Sequence, residues 1–246
     1  MASEAHNRLV DALVEGGYLR TQELIDAFRA IDRRDFVPEN LANRAYVNEP
    51  LPIGAGQTIS QPLTVAFMLE LLAPRQGERV LDIGAGSGWQ TAILSYVTAR
   101  NLLDVPEKAV SPFVVGIERI PALCEMARRN VEKYHFLSKN ITMILCADAS
   151  SGAPREAYPV DGFHKIICAA ALENEVPLVW KRQLRVGGRI VVPIGNTVVL
   201  IKKHASDHYT KEQFPGFRFV PFVSGGVDGT DDAGHNNSGA ANPARD

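Results

Sequence analysis

The apolar residues at the start of the chain recur at helical spacing. One stripe lies within residues 7–19 and a second follows Thr21, which predicts two helices, the second capped by Thr21 and ended at Pro38. Residues 50–56 contain two prolines and two glycines, so we expect an irregular loop that continues to the region of Ser60. A third stripe predicts a helix over residues 62–72. The stripe residues are Leu9, Val10, Leu13, Val14, Leu24, Ile25, Phe28, Ile31, Val65, Met68, Leu69 and Leu72.

Short apolar runs alternate with helical stripes through the rest of the chain. This alternation predicts a parallel sheet covered by helices on both faces, with right-handed connections. The β-branched run at 197–202 follows the preceding strand too closely for a crossover helix, so we expect it to pair antiparallel. Aromatic residues around 217–222 suggest one more strand. The other predicted strands are 79–84, 113–118, 141–146, 165–169 and 189–193, and the helices that accompany them are 91–97, 121–134 and 176–184.

Composition and charge restrict the possible classes of function. The net charge of −2 argues against a strongly basic nucleic-acid groove, and no apolar run approaches the roughly 20 residues that cross a bilayer. The N-terminus lacks the apolar core of a secretory signal, so we expect a cytoplasmic protein that binds neither nucleic acid nor membrane. Cys124, Cys146 and Cys168 form no C-x-x-C pair, and we expect neither a disulfide nor a metal site.

A glycine-rich turn is the most informative local feature. Residues 80–83 form a short apolar strand that contains Asp82, and three alternating glycines separate it from the helix at 91–97. Such a unit places a ligand at the carboxyl end of the strand, close to the backbone. Trp89 stands where a dinucleotide fingerprint requires its third glycine, which favours a nucleotide-type cofactor without pyrophosphate. Alternatively, the glycines only shape the turn and Asp82 caps it. The turn residues are Gly84, Gly86, Ser87 and Gly88.

Acidic residues end three of the predicted strands, at Asp82, Glu118 and Asp148. Because the carboxyl ends of parallel strands share one edge of a sheet, we expect these side chains at one site. Glu118 can accept hydrogen bonds from both hydroxyls of a ribose, and Asp148 is positioned to accept one from an adenine amino group. As an alternative, each acid by itself is an ordinary helix N-cap or surface residue.

The segments around the turn resemble those of one enzyme family. The D-x-G-x-G-x-G pattern at 82–88 is similar to motif I of the class I S-adenosylmethionine-dependent methyltransferases. The more specific Gly-Gln-Thr-Ile-Ser segment at 56–60 resembles the region that precedes this motif in protein-L-isoaspartate O-methyltransferases. The resemblance covers about residues 9–223. The other matching segments are 44–46, 50–54, 115–118, 169–171, 187–193 and 217–221.

The resemblance implies methyl transfer from S-adenosylmethionine to the α-carboxylate of L-isoaspartyl residues, which starts the repair of damaged proteins and peptides. In the family, the serine matching Ser60 lies where donor and acceptor meet, so Ser60 is the candidate catalytic residue. A carboxylate is already nucleophilic at neutral pH and needs alignment rather than a general base, which a hydroxyl can supply. The alternative is that Ser60 caps the helix that begins at Pro62. The residues expected to bind the cofactor are Gln57, Thr58, Ile59, Ser60, Asp82, Gly84, Gly86, Ser87, Gly88, Glu118, Asp148 and Ala149.

The resemblance implies a Rossmann-like α/β fold, a doubly wound and mostly parallel sheet with N-terminal helices and a late antiparallel strand. We expect one methyltransferase domain over residues 1–223. Within it, residues 1–60 would supply helices and the substrate-side loop, and residues 61–223 the cofactor-binding sheet. The composition of residues 224–246 predicts a flexible tail. The expected partners are isoaspartyl proteins and peptides, and the chain is expected to act as a monomer.

Five positions or segments depart from the usual pattern of the family. Ala147 and Ala149 stand where glycines are usual, Leu63 replaces a common histidine, and Asn48 replaces an aspartate. The connector at 98–112 is longer than the family norm. These departures keep two alternatives open: a methyltransferase that acts on another carboxylate or a small molecule, and a cofactor-binding adaptor without turnover.

Overall fold

A computed structural model describes residues 3–104, 109, 111 and 113–223. The predicted tail at 224–246 and part of the connector at 98–112 lie outside these residues. The helices are α1 (Glu4–Glu15), α2 (Gln22–Ala30), α3 (Pro62–Leu72), α4 (Trp89–Thr98), α5 (Pro121–Glu132) and α6 (Leu178–Gln183). The strands are β1 (Leu51–Gly54), β2 (Gln57–Ile59), β3 (Val80–Ile83), β4 (Val114–Glu118), β5 (Thr142–Cys146), β6 (Phe163–Cys168), β7 (Leu184–Ile194), β8 (Thr197–Ala205) and β9 (His208–Pro215). None of the described helices combines the length and the apolar character that crossing a membrane requires.

The central sheet has the strand order β5-β4-β3-β6-β7-β8-β9. The strands from β5 to β7 pair in parallel, and β8 and β9 pair antiparallel. From β3 the chain moves outward to β5 and then returns to the opposite side of β3 at β6, so the strand order reverses beside β3. Ligands of open α/β sheets bind at such a reversal, at the carboxyl ends of the strands. The predicted α/β fold with a late antiparallel strand is confirmed.

The residues of β3 divide between the two faces of the sheet. Val80 belongs to an apolar cluster that also contains residues of α1, α2, α3 and α4, whereas Leu81 and Ile83 belong to a second cluster that contains Trp180. Because successive side chains of a strand alternate, Asp82 points to the same face as Val80. Its side chain is therefore directed towards the helices rather than along the strand into solvent.

The end of the chain differs from the prediction. The prediction of a strand around 217–222 is wrong, because this segment makes only a single bridge, between Ala171 and Pro221. Its apolar residues pack against the sheet instead of pairing within it. β9, which was not predicted, is an edge strand whose side chains are mostly exposed, so it lacks the apolar alternation on which a strand prediction depends.

The prediction of an irregular loop before Ser60 is also wrong, because residues 51–59 form the antiparallel hairpin of β1 and β2. Leu51 and Ile53 are buried while Pro52 between them is exposed, which is the alternation of a strand with one face packed. Proline is compatible with such a short edge strand.

The second helix ends earlier than predicted. Ile31, directly after α2, has an extended backbone, and two 3-10 turns, Arg33–Phe36 and Glu39–Arg44, fill the interval that the prediction gave to helix. The apolar spacing that suggested a longer helix continues into these turns, where Phe36 is buried. A pattern of burial alone does not separate a helix from successive short turns.

Cys124 and Cys146 form a disulfide, so the expectation of no disulfide is wrong. Strand β5 pairs with β4, which places Cys146 opposite Glu118, and α5 begins directly after β4. The Cα atoms of the two cysteines, 22 residues apart in sequence, are therefore 5.7 Å apart, within the usual range for a disulfide. Cys168 is free and buried in β6, as predicted.

Candidate active site

The turn between β3 and α4 places its backbone at the carboxyl edge of the sheet. Gly84, Gly86 and Gly88 have φ angles of 76°, 56° and 89°, which residues with side chains rarely adopt. A Cβ atom added at Gly84 would meet nothing within 4 Å, whereas one at Gly88 would lie 2.9 Å from Val131 and 3.2 Å from Ala127. Gly84 therefore leaves space for a ligand, and Gly88 allows α5 to pack against the turn.

A cleft opens at these strand ends, where the ligand sites of parallel α/β sheets lie. The predicted cofactor residues that line it are Gln57, Thr58, Ser60, Gly84, Gly86, Glu118, Asp148 and Ala149. Ile59 and Ser87 lie along a smaller recess that shares Thr58, Ser60 and Gly84 with the cleft. In the described part of the chain, Asp82 and Gly88 line neither cavity.

Glu118 connects the glycine turn to the start of α5. Its Oε2 atom accepts a hydrogen bond from the Gly86 amide at 2.9 Å, and its Oε1 atom accepts one from the Ile120 amide at 2.9 Å. The side chain is buried. A carboxylate has about four acceptor positions, so two bonds to the backbone fix its orientation and leave acceptor capacity for a ligand.

Asp82 lies behind the turn rather than in the cleft. Its carboxylate is fully buried and accepts hydrogen bonds from Gln90 Nε2 at 2.7 Å and Thr91 Oγ1 at 2.6 Å. Burial raises the pKa of Asp82 to about 6, although these two hydrogen bonds lower it, and the nearby Glu118 raises it further. In this structure Asp82 joins β3 to the first turn of α4.

Asp148 and Ala149 form the far wall of the cleft. Asp148 lines the cleft, and its Oδ1 atom accepts a hydrogen bond from the Ser150 amide at 2.8 Å, so it also caps the 3-10 turn Ala149–Ser151. The carbonyl of Ala149 accepts a hydrogen bond from Trp180 Nε1 at 2.8 Å. The cap role and the cofactor role proposed for Asp148 from the sequence are thus compatible.

A second cavity, which we call the groove, adjoins the cleft. It has a volume of about 580 Å³, and Ser60 lines both the groove and the cleft. Thr58, Ala169 and Val220 are also shared. The remaining residues of the groove are Pro50, Gln61, Leu63, Thr64, Gly216, Phe217, Arg218 and Phe219. Ser60 therefore stands at the junction of two cavities.

The N-terminus of α3 is capped without the Ser60 hydroxyl. The N-cap position is Gln61, and the Leu63 amide donates to Asn48 Oδ1 at 3.0 Å. The Asn48 carbonyl also accepts from Gln61 Nε2 at 2.9 Å. The alternative role of Ser60 as a helix cap is wrong, and within the described residues its hydroxyl makes no hydrogen bond. Asn48 and Leu63, two of the positions that depart from the family pattern, are thus joined by a hydrogen bond.

Sequence reasoning missed the residues that close the cleft. The extended segment at 220–223 lies over one side of it, held by hydrogen bonds from the Ala171 amide to the Val220 carbonyl and from the Phe222 amide to the Ala171 carbonyl. The aromatic residues around this segment predicted a strand, whereas in the fold residues 220–223 line the cleft. The other missed residues are Ile83, Ile117, Arg119, Ile120, Leu123, Ala147, Ala169 and Ala170. Several of them directly adjoin predicted residues.

One described cluster has the composition of a metal site. Ligand atoms of Cys124, Glu125 and Cys146 lie within 4.8 Å of one another. Metals bind cysteine as the thiolate, and the two sulfur atoms are bonded to each other here. The disulfide therefore occupies the atoms that a metal would need.

Comparisons with known proteins agree with this architecture. The family model for protein-L-isoaspartate(D-aspartate) O-methyltransferase matches residues 4–226. The protein-L-isoaspartate O-methyltransferase of Methanopyrus kandleri is 37% identical over 223 residues, which cover 89% of this chain and 91% of the relative. Protein-L-isoaspartate O-methyltransferase 2 of Marinobacter nauticus is 39% identical over 205 residues, covering 81% and 84% of the two chains.

Solved structures have the same fold. A structure from Plasmodium falciparum assigned to this methyltransferase, in complex with S-adenosyl-L-homocysteine, has a TM-score of 0.75 at 21% identity and covers 90% of this chain and 99% of its own. A second protein-L-isoaspartate O-methyltransferase has a TM-score of 0.74 at 27% identity, covering 90% of this chain and 67% of its own. The resemblance inferred from the motifs is confirmed, and the chain belongs to the protein-L-isoaspartate(D-aspartate) O-methyltransferase family.

Proposed function

We propose that this chain transfers a methyl group from S-adenosylmethionine to the α-carboxylate of L-isoaspartyl residues in damaged proteins and peptides. The family membership supports this activity, and the observation that carries it for this chain is the position of Ser60. Transfer between two substrates requires that the reacting atoms be held in contact. A residue that lines both cavities lies where such a contact can form.

The residues of the cleft fit S-adenosylmethionine, which supplies a methyl group on a sulfonium when bound. Glu118, already oriented by two backbone amides, has acceptor capacity left for a pair of ribose hydroxyls. Asp148 and Ala149 would border the adenine, and the open space at Gly84 would admit the amino-acid end. Asp82 would act indirectly, by holding α4 and the turn in place.

The groove would hold the isoaspartyl peptide. The Ser60 hydroxyl has no hydrogen-bond partner in the described chain, so it is free to donate to one oxygen of the acceptor carboxylate and leave the other oxygen to react. Arg218 contributes a cationic side chain that favours an anionic acceptor. Phe217 and Phe219 reduce the access of water, which favours a reaction in which opposite charges neutralise.

The remaining expectations concern partners and compartment. We infer that the chain acts as a monomer in the cytoplasm and binds no nucleic acid, and the near-neutral net charge of −2 supports the last point. The disulfide between Cys124 and Cys146 bears on the compartment, because such bonds are rare in a reducing cytosol. Cells lysed directly into denaturant with an alkylating reagent would test it: three alkylated cysteines fit the cytoplasm, and one fits an oxidising compartment.

The activity is tested with two peptides of one sequence, which contain either L-isoaspartate or L-aspartate at a single position. Each is incubated with the protein and S-adenosylmethionine labelled at the methyl group. We expect an alkali-labile methyl ester on the isoaspartyl peptide only. Labelling of neither peptide by protein that binds S-adenosylhomocysteine would indicate an adaptor, and labelling of an unrelated carboxylate in its place would indicate a different substrate.

A further inference from the structure

Arg33 is a fully buried cation close to the groove. Its side chain lines neither the groove nor the cleft. It lies in the 3-10 turn Arg33–Phe36 with 0% of its surface exposed. A buried charge is costly unless it is paired or bonded. Among the described residues, Arg33 forms no ion pair, and its guanidinium is bonded to backbone carbonyls instead.

These carbonyls belong to two segments of the chain. Nη1 donates to the Ala45 carbonyl at 2.8 Å and the Val47 carbonyl at 3.2 Å. Nη2 donates to the Glu49 carbonyl at 2.9 Å and to the Ser60 carbonyl at 3.1 Å. One guanidinium thus ties the backbone of Ser60 to the segment at 45–49.

The same segment contacts the chain on the other side of Ser60. Asn48, between two of the bonded carbonyls, accepts hydrogen bonds from the side chain of Gln61 and the amide of Leu63. The Arg33 guanidinium also lies over the ring of Trp89, 5.3 Å from its centroid, and Trp89 lines the recess next to the glycine turn. Arg33 therefore contacts Trp89 of this recess as well as the Ser60 backbone at the junction of cleft and groove.

We propose that Arg33 is a positioning residue for methyl transfer, whose guanidinium fixes the Ser60 backbone and thereby places the Ser60 hydroxyl at the junction of cleft and groove. This inference rests on the proposed function. Arginine suits the role because its two terminal nitrogens direct four donors in a fixed plane, whereas lysine has a single donor atom. Burial lowers the pKa of Arg33 to about 9, so the guanidinium remains charged at neutral pH.

The first test is Arg33→Lys, with Arg189→Lys as its matched control. Arg189 also donates to a backbone carbonyl, that of Leu71 at 2.9 Å, but lies away from both cavities. We expect Arg33→Lys to lower kcat for the isoaspartyl peptide about 30-fold, because misplacement of a reacting group by about 1 Å can cost about 100-fold. The Kd for S-adenosylhomocysteine should change less than about threefold, and Arg189→Lys should keep its kcat.

A double variant separates positioning from general destabilisation. If Arg33 acts through the Ser60 hydroxyl, Arg33→Lys should add little to the loss of kcat already caused by Ser60→Ala, because coupled residues are not additive. Independent, multiplying losses would overturn the proposal. So would a loss of cofactor affinity in parallel with kcat, or an unchanged kcat. An inactive wild type would instead refute the proposed function.

A second perturbation leaves Arg33 in place and serves if Arg33→Lys does not fold. Incorporation of the α-hydroxy analogue of glutamine at position 61 converts the Ser60–Gln61 amide to an ester, whose carbonyl is a weaker acceptor. The other three bonds of Arg33 remain. We expect kcat to fall about fivefold with the Kd for S-adenosylhomocysteine unchanged, since one charged hydrogen bond is weakened. An ester protein with the kcat of the wild type would overturn the role of this contact.

Discussion

The cleft and the groove meet at Ser60, but they are built differently. The cleft is formed mainly by loops that directly follow neighbouring parallel strands, so that residues such as Gly84, Glu118 and Asp148 lie within two residues of a strand end. The groove combines the start of α3 with the extended segment at 216–220, which are far apart in sequence. One site is thus a local consequence of the sheet, and the other depends on long-range packing.

This difference implies that donor binding and acceptor placement can be altered separately. The carboxylate of Glu118 is held by the Gly86 and Ile120 amides, which follow the ends of two paired parallel strands, whereas the Ser60 carbonyl is held by Arg33 from a 3-10 turn outside the sheet. Substitutions in the cleft should therefore change the affinity for the cofactor, and substitutions at the junction should change turnover.

Glu118→Gln should have the largest effect. We expect the Kd for S-adenosylhomocysteine to rise about 100-fold, because the amide nitrogen of glutamine cannot accept the bonds of a backbone amide and a ribose hydroxyl. Isothermal titration calorimetry measures this change. The matched control is Glu125→Gln on the exposed face of α5, which should bind normally. Binding of the ligand by Glu118→Gln as tightly as by the wild type would remove Glu118 from the cofactor site.

Ser60→Ala should lower kcat about 30-fold while the Kd for S-adenosylhomocysteine changes less than about twofold. The physical reason is the loss of the hydroxyl that orients the acceptor carboxylate. Steady-state kinetics with the isoaspartyl peptide measure the effect, and Ser151→Ala, at an exposed position, is the control. A fall in cofactor affinity as large as the fall in kcat would assign Ser60 to the cleft alone.

Gly88→Ala and Gly84→Ala should differ in their effect on stability, because Gly88 packs against α5 and Gly84 faces open space. Both replacements strain a positive φ, but only a Cβ at 88 meets Val131 and Ala127 of α5. We expect Gly88→Ala to lower the free energy of unfolding by about 2 kcal/mol more than Gly84→Ala, as for other overpacked sites. Urea denaturation without ligand measures this difference. Equal destabilisation would contradict the structural role of Gly88.

An effect no larger than this is expected at Asp82, as a dependence of stability on pH. The pKa of this group rises from 3.8 in the unfolded chain to about 6 in the folded one, so between these values the folded state binds more protons. Stability from this group therefore falls as pH rises from about 4 to 6 and is constant above that range. The stability of the wild type relative to Asp82→Asn should fall by about 2 kcal/mol between pH 4.5 and 7.

Urea denaturation at several pH values measures this difference. Asp161→Asn, at an exposed position, should leave the pH profile of the wild type unchanged. A wild type and an Asp82→Asn variant with parallel profiles would show that Asp82 is not protonated near pH 6 in the folded protein.

Elements with a clear burial pattern were predictable. The parallel strands and α3 follow from apolar runs and stripes, because a sheet buried on both faces and a buried helix impose such patterns. β9 was not predictable, since an exposed edge strand imposes none. The hairpin at 51–59 was missed because its prolines and glycines also suit a loop, and only its pairing distinguishes the two.

The candidate site was predictable to the extent that it is local. Glu118 and Asp148 were located at the cleft because strand ends converge in a parallel sheet. Asp82 ends a strand as well, yet its side chain points towards α4, and this direction depends on the alternation of the strand and on the partners Gln90 and Thr91.

The sequence by itself determined the family, the parallel sheet and the glycine turn, because these depend on short-range patterns of residue type and spacing. Only the tertiary structure decided that Cys124 and Cys146 are bonded, that the segment at 220–223 closes the cleft, and that Arg33 holds Ser60. Each of these contacts joins residues distant in the chain, and such contacts follow from how the elements pack rather than from any local preference.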